Sequence, residues 1–208
     1  MTSRGYDSTI ERLMVEYSLR KGKNMSIVSA KQVRLKTGKT IDIRSAQTED
    51  ARQVLMLAHS VMAESAFLLT TPEEFRYTIE DEKLWIQNVC ASLADVIILA
   101  ENDHQLIGML NFMHGVRKRI AHQGELGMSV AAQWRGQGVG KALLQSLIEW
   151  GEAHPLIEKL CLQVFASNTR AIALYTSLGF EQEGRLKRQI KLLDGTYVDL
   201  LAMARFVK

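Results

Sequence analysis

Residues 129–141 read Ser-Val-Ala-Ala-Gln-Trp-Arg-Gly-Gln-Gly-Val-Gly-Lys. The residues before this stretch carry the pattern of a strand, and those after it the 3.6-residue pattern of a helix. Gly136, Gly138 and Gly140 fall at the junction. The first backbone N–H groups of a helix have no partner inside it, and the helix dipole favours negative charge at that end. Glycines let a ligand come close to those amides. The chemistry this spacing can do is to grip a diphosphate on the N–H groups of Arg135, Gly136, Gln137, Gly138, Val139, Gly140 and Lys141. Two familiar phosphate loops are excluded. No Gly-x-x-x-x-Gly-Lys-Ser/Thr occurs, and the spacing is not Gly-x-Gly-x-x-Gly with an acidic residue ending a following strand.

Arg135-Gly136-Gln137-Gly138-Val139-Gly140 resembles the Arg/Gln-x-x-Gly-x-Gly/Ala loop of the GNAT N-acetyltransferases. Asn168-Thr169-Arg170-Ala171-Ile172-Ala173-Leu174-Tyr175-Thr176-Ser177-Leu178-Gly179-Phe180 is similar to the second signature of that superfamily, Asn-x-x-Ala-x-x-x-Tyr-x-x-x-Gly-Phe. Both stand in the family's order, and the resemblance runs from about Ile41 to the C-terminus. It implies a mixed α/β fold whose sheet is mostly antiparallel, with two parallel strands splayed apart and helices on both faces. It implies acetyl-CoA as co-substrate and an amine as acceptor, in a small molecule, peptide or protein. By resemblance, the backbone of Met128, Ser129 and Val130 pairs with the pantetheine amides, as an added strand would. Asn168 caps a helix beside the cofactor arm. Tyr175 stands where many members keep a general acid that protonates the leaving thiolate. Glu125 is the candidate to assist loss of the amine proton, with His122 and His114 as weaker rivals. A carboxylate merely solvated, or paired with the basic loop Arg117-Lys118-Arg119, is the competing reading of Glu125. Glu-Leu-Gly at 125–127 and the Asn168–Phe180 segment resemble the subgroup of ribosomal-protein and polyamine acetyltransferases. The contrasting reading is an acyl-CoA sensor that keeps the pocket without turnover; Tyr175 and Glu125 argue against it.

The elements that must position these residues follow from periodicity and punctuation. Val33, Leu35, Ile41 and Ile43 alternate around Thr37-Gly38-Lys39, which predicts a hairpin. Thr48 opens a helix burying Val54, Leu57, Ala58, Val61 and Met62. Thr71-Pro72-Glu73-Glu74 reads as a capping box for a second helix through about Asn88, either continuous or broken near Ile79. Its carboxylates Glu73, Glu74, Glu80, Asp81 and Glu82 either solvate an exposed face or attract a cationic acceptor. Strands are expected over Val96–Glu101, Leu106–His114, Gly124–Val130 and Leu160–Phe165. Helices are expected over Val139–His154 and Thr169–Leu178, the latter stopped by Gly179. Leu193-Asp194-Gly195-Thr196 marks a final hairpin.

The 208 residues suit one catalytic domain, residues 31–208, behind a basic extension, residues 1–30. Residues 1–39 carry nine basic and three acidic side chains, and the remainder 17 basic and 20 acidic. A solvated leader is favoured over a nucleic-acid arm, because no aromatic residues interleave the charges. Ser8-Thr9-Ile10-Glu11 caps a short amphipathic helix with Ile10, Leu13, Met14 and Tyr17 on one face, and Met25 is an alternative start. No signal peptide, no membrane span and no His/Cys ligand spacing is present, which predicts a cytoplasmic, metal-free enzyme or binding protein. Cys90 and Cys161 are expected as buried, reduced thiols. The resemblance permits a homodimer without indicating its interface.

Overall fold

A computed structural model describes residues 26–64 and 66–208. The expected leader helix over residues 8–17 and the alternative start Met25 lie outside the described residues. Packing begins before residue 31. Val28 is buried against the core, and its N–H donates to Ser45 Oγ at 2.9 Å.

Eight strands form one sheet in the order β1-β2-β3-β4-β5-β6-β8-β7. They are β1 (Lys31–Arg34), β2 (Thr40–Ser45), β3 (Val96–Asn102), β4 (Gln105–His114), β5 (Gln123–Val130), β6 (Lys159–Phe165), β7 (Glu181–Lys191) and β8 (Tyr197–Phe206). Among the described residues four α-helices cover it: α1 (Ala51–Glu64), α2 (Ile79–Cys90), α3 (Val139–Ala153) and α4 (Thr169–Ser177). Every neighbouring pair is antiparallel except β5 and β6, which run parallel. The mixed sheet with helices on both faces is the architecture the resemblance implied.

The first hairpin follows its alternation: Val33 lies opposite Ile41, and Ile41 and Ile43 are fully buried. β3 and β4 turn through Asp103 and His104, both in the left-handed region at φ 48° and 63°. That is the backbone a two-residue hairpin demands. β3 is buried on both sides, so its side chains divide between two cores. Ile98 joins Leu110, Phe112 and Leu126 under Leu143, Leu144 and Leu147 of α3. Tyr175, Leu178 and Phe180, on and after α4, complete that cluster. Ile97 and Leu99 pack on the opposite face against Val54 of α1 and Ile86 and Val89 of α2. Arg44 on β2 fixes the entry to α1, reaching Asp50 and Glu101 at 2.7 Å each.

Three expectations need correction. Thr71 opens a turn rather than a helix: Glu74 N–H donates to Thr71 O at 3.1 Å and Thr71 N–H to Glu74 Oε2 at 2.9 Å. The helix begins at Ile79, because Thr78 and Asp81 form the reciprocal box instead. Thr78 N–H donates to Asp81 Oδ2 at 2.8 Å, and Asp81 N–H to Thr78 Oγ1 at 3.2 Å. The residues between are drawn over α1 by their rings, with Phe75 5.0 Å from His59 and 5.1 Å from Tyr77. Second, Cys90 is exposed and Cys161 only partly buried, although both are free. Cys90 falls on the outer side of the last turn of α2, next to the buried Val89. Third, the helix opened by Thr48 starts as a 3-10 turn, Thr48–Asp50, before α1 proper.

Candidate active site

The parallel pair is short. β5 and β6 stay in register only at Gln123–Lys159, Gly124–Leu160 and Glu125–Cys161. Beyond that fork, β5 continues to Val130 paired with β4 alone. Gly115 N–H donates to Gln123 O and Ala131 N–H to Ile107 O, each at 2.9 Å. Hydrogen-bonded pairs alternate along an antiparallel ladder, so odd-numbered residues of β5 bond to β4. The backbone of Leu126, Met128 and Val130 therefore faces the gap left by β6. Ser129, grouped with Met128 and Val130 by the sequence reading, turns its backbone to β4 instead. The carbonyl of Val130 is already taken, because Arg135 Nε–H donates to it at 3.0 Å. Met128 is left with both backbone groups toward the gap.

The glycine turn closes one end of this gap. Gly136 and Gly138 take φ +82° and +107°, a region side chains disfavour, and Gly138 is the N-cap of α3. Gly140 has a different reason to lack a side chain: a Cβ there would lie 3.3 Å from both Leu174 and Met128. Those contacts gather α3, α4 and β5 around the opening. Val139 is buried in the core, whereas Gln137 and Lys141 keep access to solvent. Gln137 Nε2 donates to Gln133 O at 2.5 Å. Arg170, which no spacing argument singled out, brings its guanidinium within 2.9 Å of where a Gly136 Cβ would be. Lys39, from the first hairpin, lies 4.5 Å above the Trp134 ring. The Arg135 N–H, expected in the cradle, is instead spent on Ala132 O at 3.1 Å, closing the short 3-10 turn before the glycines. The amides that follow sit among the side chains of Arg135, Lys141, Arg170 and Lys39, a setting that suits a polyphosphate. The only sequence hint of Arg170 was its place inside the second signature.

Asn168 caps α4, its Oδ1 accepting from Ala171 N–H at 3.2 Å. Tyr175 is 8% exposed and packs its ring 5.8 Å from Phe180. Its hydroxyl forms no hydrogen bond among the described residues, and burial pushes its pKa up to about 12. Glu125 is exposed and stands at the last paired position of the fork. Of its rivals, His114 is buried and bound through Nδ1 to Asp95 at 2.7 Å, which commits it to structure. Burial pushes the Asp95 carboxyl up, but hydrogen bonds and charge from His114 outweigh it and hold the group below the ordinary range. His122 is half-buried and lends its carbonyl to Glu158 and Lys159 N–H.

On the other side of β5, Ser129 and Met109 form the floor of a cavity of about 510 Å³ beneath α1 and α2. Its walls include Leu57, Val61, Phe75, Tyr77, Trp85 and Glu82. Sequence periodicity hid this cavity, since Ala58 and Met62 read as core positions yet line open space. β5 therefore borders both the cationic, amide-lined gap and the apolar chamber. Among the described residues no group of three or more His, Cys, Asp or Glu could hold a metal ion. None of their helices is long and apolar enough to cross a membrane.

Comparison with known proteins gives the same picture. Residues 63–180 match the profile of the Acetyltransferase (GNAT) family. The chain is 30% identical over 138 residues to the L-amino acid N-acetyltransferase AaaT of Escherichia coli (strain K12), spanning 64% of this chain and 85% of that protein. It is 31% identical over 98 residues to the [Ribosomal protein uS5]-alanine N-acetyltransferase of the same strain, 47% of this chain and 50% of that enzyme. Among solved structures, the acetyltransferase of GNAT family from Streptococcus pneumoniae superposes with a TM-score of 0.78 at 26% identity, over 80% of this chain and 99% of that one.

Proposed function

This chain belongs to the acetyltransferase (GNAT) family and is an acetyl-CoA-dependent N-acetyltransferase; we propose that it transfers the acetyl group to a primary amine by direct attack. The observation that carries this reading is the fork: β5 and β6 part after Glu125, the α3 amides and their basic neighbours stand at one end, and the chamber opens at Ser129.

The pantetheine arm pairs with Met128, and the diphosphate rests on the N–H groups from Gly136 to Lys141, with Arg170 beside Gly136. Asn168 holds the start of α4 against the arm. An acceptor enters as ammonium and loses one proton to water, assisted by Glu125 at the fork. Its nitrogen lone pair forms the new N–C bond, and the carbonyl π pair moves onto oxygen, where the Met128 N–H meets it. Collapse of that oxyanion breaks the C–S bond, and the pair leaves on sulfur. Tyr175 gives the thiolate its proton, and the proton released by the new amide nitrogen restores the phenol. An ordinary thiol has pKa ~8.5, well below about 12 for this phenol, so the transfer looks uphill. The same dry surroundings raise the basicity of the thiolate, as burial does for the thiol of Cys161, and narrow that difference.

Incubation with acetyl-CoA and a panel of primary amines, followed by free thiol, tests the reading. Thiol release that depends on the amine supports it. Tight acetyl-CoA binding with no release for any amine would mark a sensor instead. The leader, residues 1–30, and a homodimer enter no step of this mechanism.

A further inference from the structure

We propose that the chamber selects a primary amine with an aromatic or alkyl body and no carboxylate, Glu82 drawing in its ammonium before the nitrogen reaches the fork. The inference rests on the acetyltransferase reading and names the acceptor class.

Glu82 lies in the first turn of α2 and is 8% exposed. Its Oε2 is buried and has no hydrogen-bond partner among the described residues. Buried charges are ordinarily paired, since an unpaired one is costly. Burial, and then the charge of Asp81, push the Glu82 carboxyl up. The neighbouring Asp81 is in a different position, because its carboxylate is spent on Thr78 N–H and Oγ1. One carboxylate on the wall is therefore committed to the helix, and the other is held without a partner at the cavity.

The rest of the wall decides what can answer it. Phe75, Tyr77, Trp85, Leu57, Val61 and Met109 offer apolar surface and ring faces, and among the described residues no Lys, Arg or His lines the cavity. An ammonium gains a countercharge at Glu82 and attraction from the rings. An amino acid would bring its carboxylate into a chamber with two acidic side chains and no cation. A hydrophilic polyamine would satisfy Glu82 but leave the apolar wall unfilled. The imidazole of His59 packs edge-on against Phe75 from α1 and is not a lining residue.

The experiment compares 2-phenylethylamine, L-phenylalanine and spermidine as acceptors for the full chain with saturating acetyl-CoA, reading thiol release. The first should exceed each of the others at least 100-fold in kcat/KM. Glu82→Gln should raise KM for 2-phenylethylamine at least 10-fold while leaving KM for acetyl-CoA unchanged, and Glu82→Asp should restore part of the loss. A carboxyl raised in the fold opposes stability once ionised, so Glu82→Gln should also melt higher than the parent at pH 7. Equal use of L-phenylalanine, preference for spermidine, or an unchanged amine KM in Glu82→Gln would each overturn the inference. Turnover of some other amine would then leave the acetyltransferase reading standing. Failure to bind acetyl-CoA at all, read by calorimetry, would remove both.

Discussion

Glu125 and Cys161 form the last register pair between β5 and β6, and the two strands part immediately beyond them. The backbone of Glu125 is thus held where the sheet divides, while its side chain is exposed. Such a position gives a proton acceptor fixed geometry without burial.

Glu125→Gln should lower kcat about 10²-fold near neutral pH, the scale of a general base. KM for acetyl-CoA should not change. The deficit should shrink as pH rises, because the amine then arrives already deprotonated. A steady-state profile from pH 6 to 10 checks this; a deficit independent of pH would assign Glu125 to structure.

The glycine turn can be tested without disturbing the fold. A charge at Gly138 itself is a poor choice, since φ +107° strains any side chain. Gln137 has no such restriction, and Gln137→Glu sets a negative charge beside the unpaired amides. Acetyl-CoA affinity by calorimetry should fall at least about 10-fold, or ~1.4 kcal/mol. An unaltered affinity with normal helix content would place the diphosphate elsewhere.

Tyr175→Phe keeps the ring against Phe180 and removes only the hydroxyl. Turnover should drop about 10²-fold with little change in acetyl-CoA affinity. Because burial holds the phenol at about 12, the parent enzyme should show no falling limb attributable to it below pH 10. A limb in that range that vanishes in the variant would contradict the assigned environment.

His154 gives a stability prediction of definite sign. Its Nε2 meets Leu93 O at 3.0 Å, and its Nδ1 accepts from Leu156 and Ile157 N–H at 3.2 and 3.3 Å. The neutral ring is therefore satisfied at both nitrogens. A proton on Nδ1 would confront two donors, and burial lowers the pKa to about 4. The unfolded chain takes up a proton near pH 6.5 that the folded chain refuses until about 4. Stability should fall progressively as pH drops through that window, by about 3 kcal/mol in all. Urea titrations at pH 7 and 4.5 should show this slope in the parent and a flatter one in His154→Gln, which should be less stable at pH 7. Equal slopes would refute the assignment. The Asp95 contribution is lost as pH falls from the ordinary 3.8 through its lowered pKa, below the pH 7 to 4.5 comparison, and so does not mimic the effect.

The sequence made the fork's surroundings legible because they depend on local rules. Gly136 and Gly138 announce a left-handed turn before a helix, Asn168 announces a cap, and alternation announces β5. What it left unread depends on where chains meet. Ser129 and Val130 both looked available to a cofactor, yet the ladder with β4 claims one and Arg135 the carbonyl of the other. Two capping boxes competed in the segment before α2, and tertiary attraction of Phe75 and Tyr77 toward α1 favoured Thr78 over Thr71. Glu82 looked like one carboxylate in a solvated run until packing buried it. Arg170 acquired significance only when α4 folded back on the turn.

The outermost strand has its own consequence. Of the eleven residues of β7, Arg185, Lys187, Arg188 and Lys191 are cationic, and its register against β8 slips twice, once before Gly184 and once after Leu186. A second molecule seeking to extend the sheet here would face charged side chains and a crooked ladder. This border is thereby guarded against edge-to-edge fibrous growth, which a smooth, uncharged strand in the same place would invite.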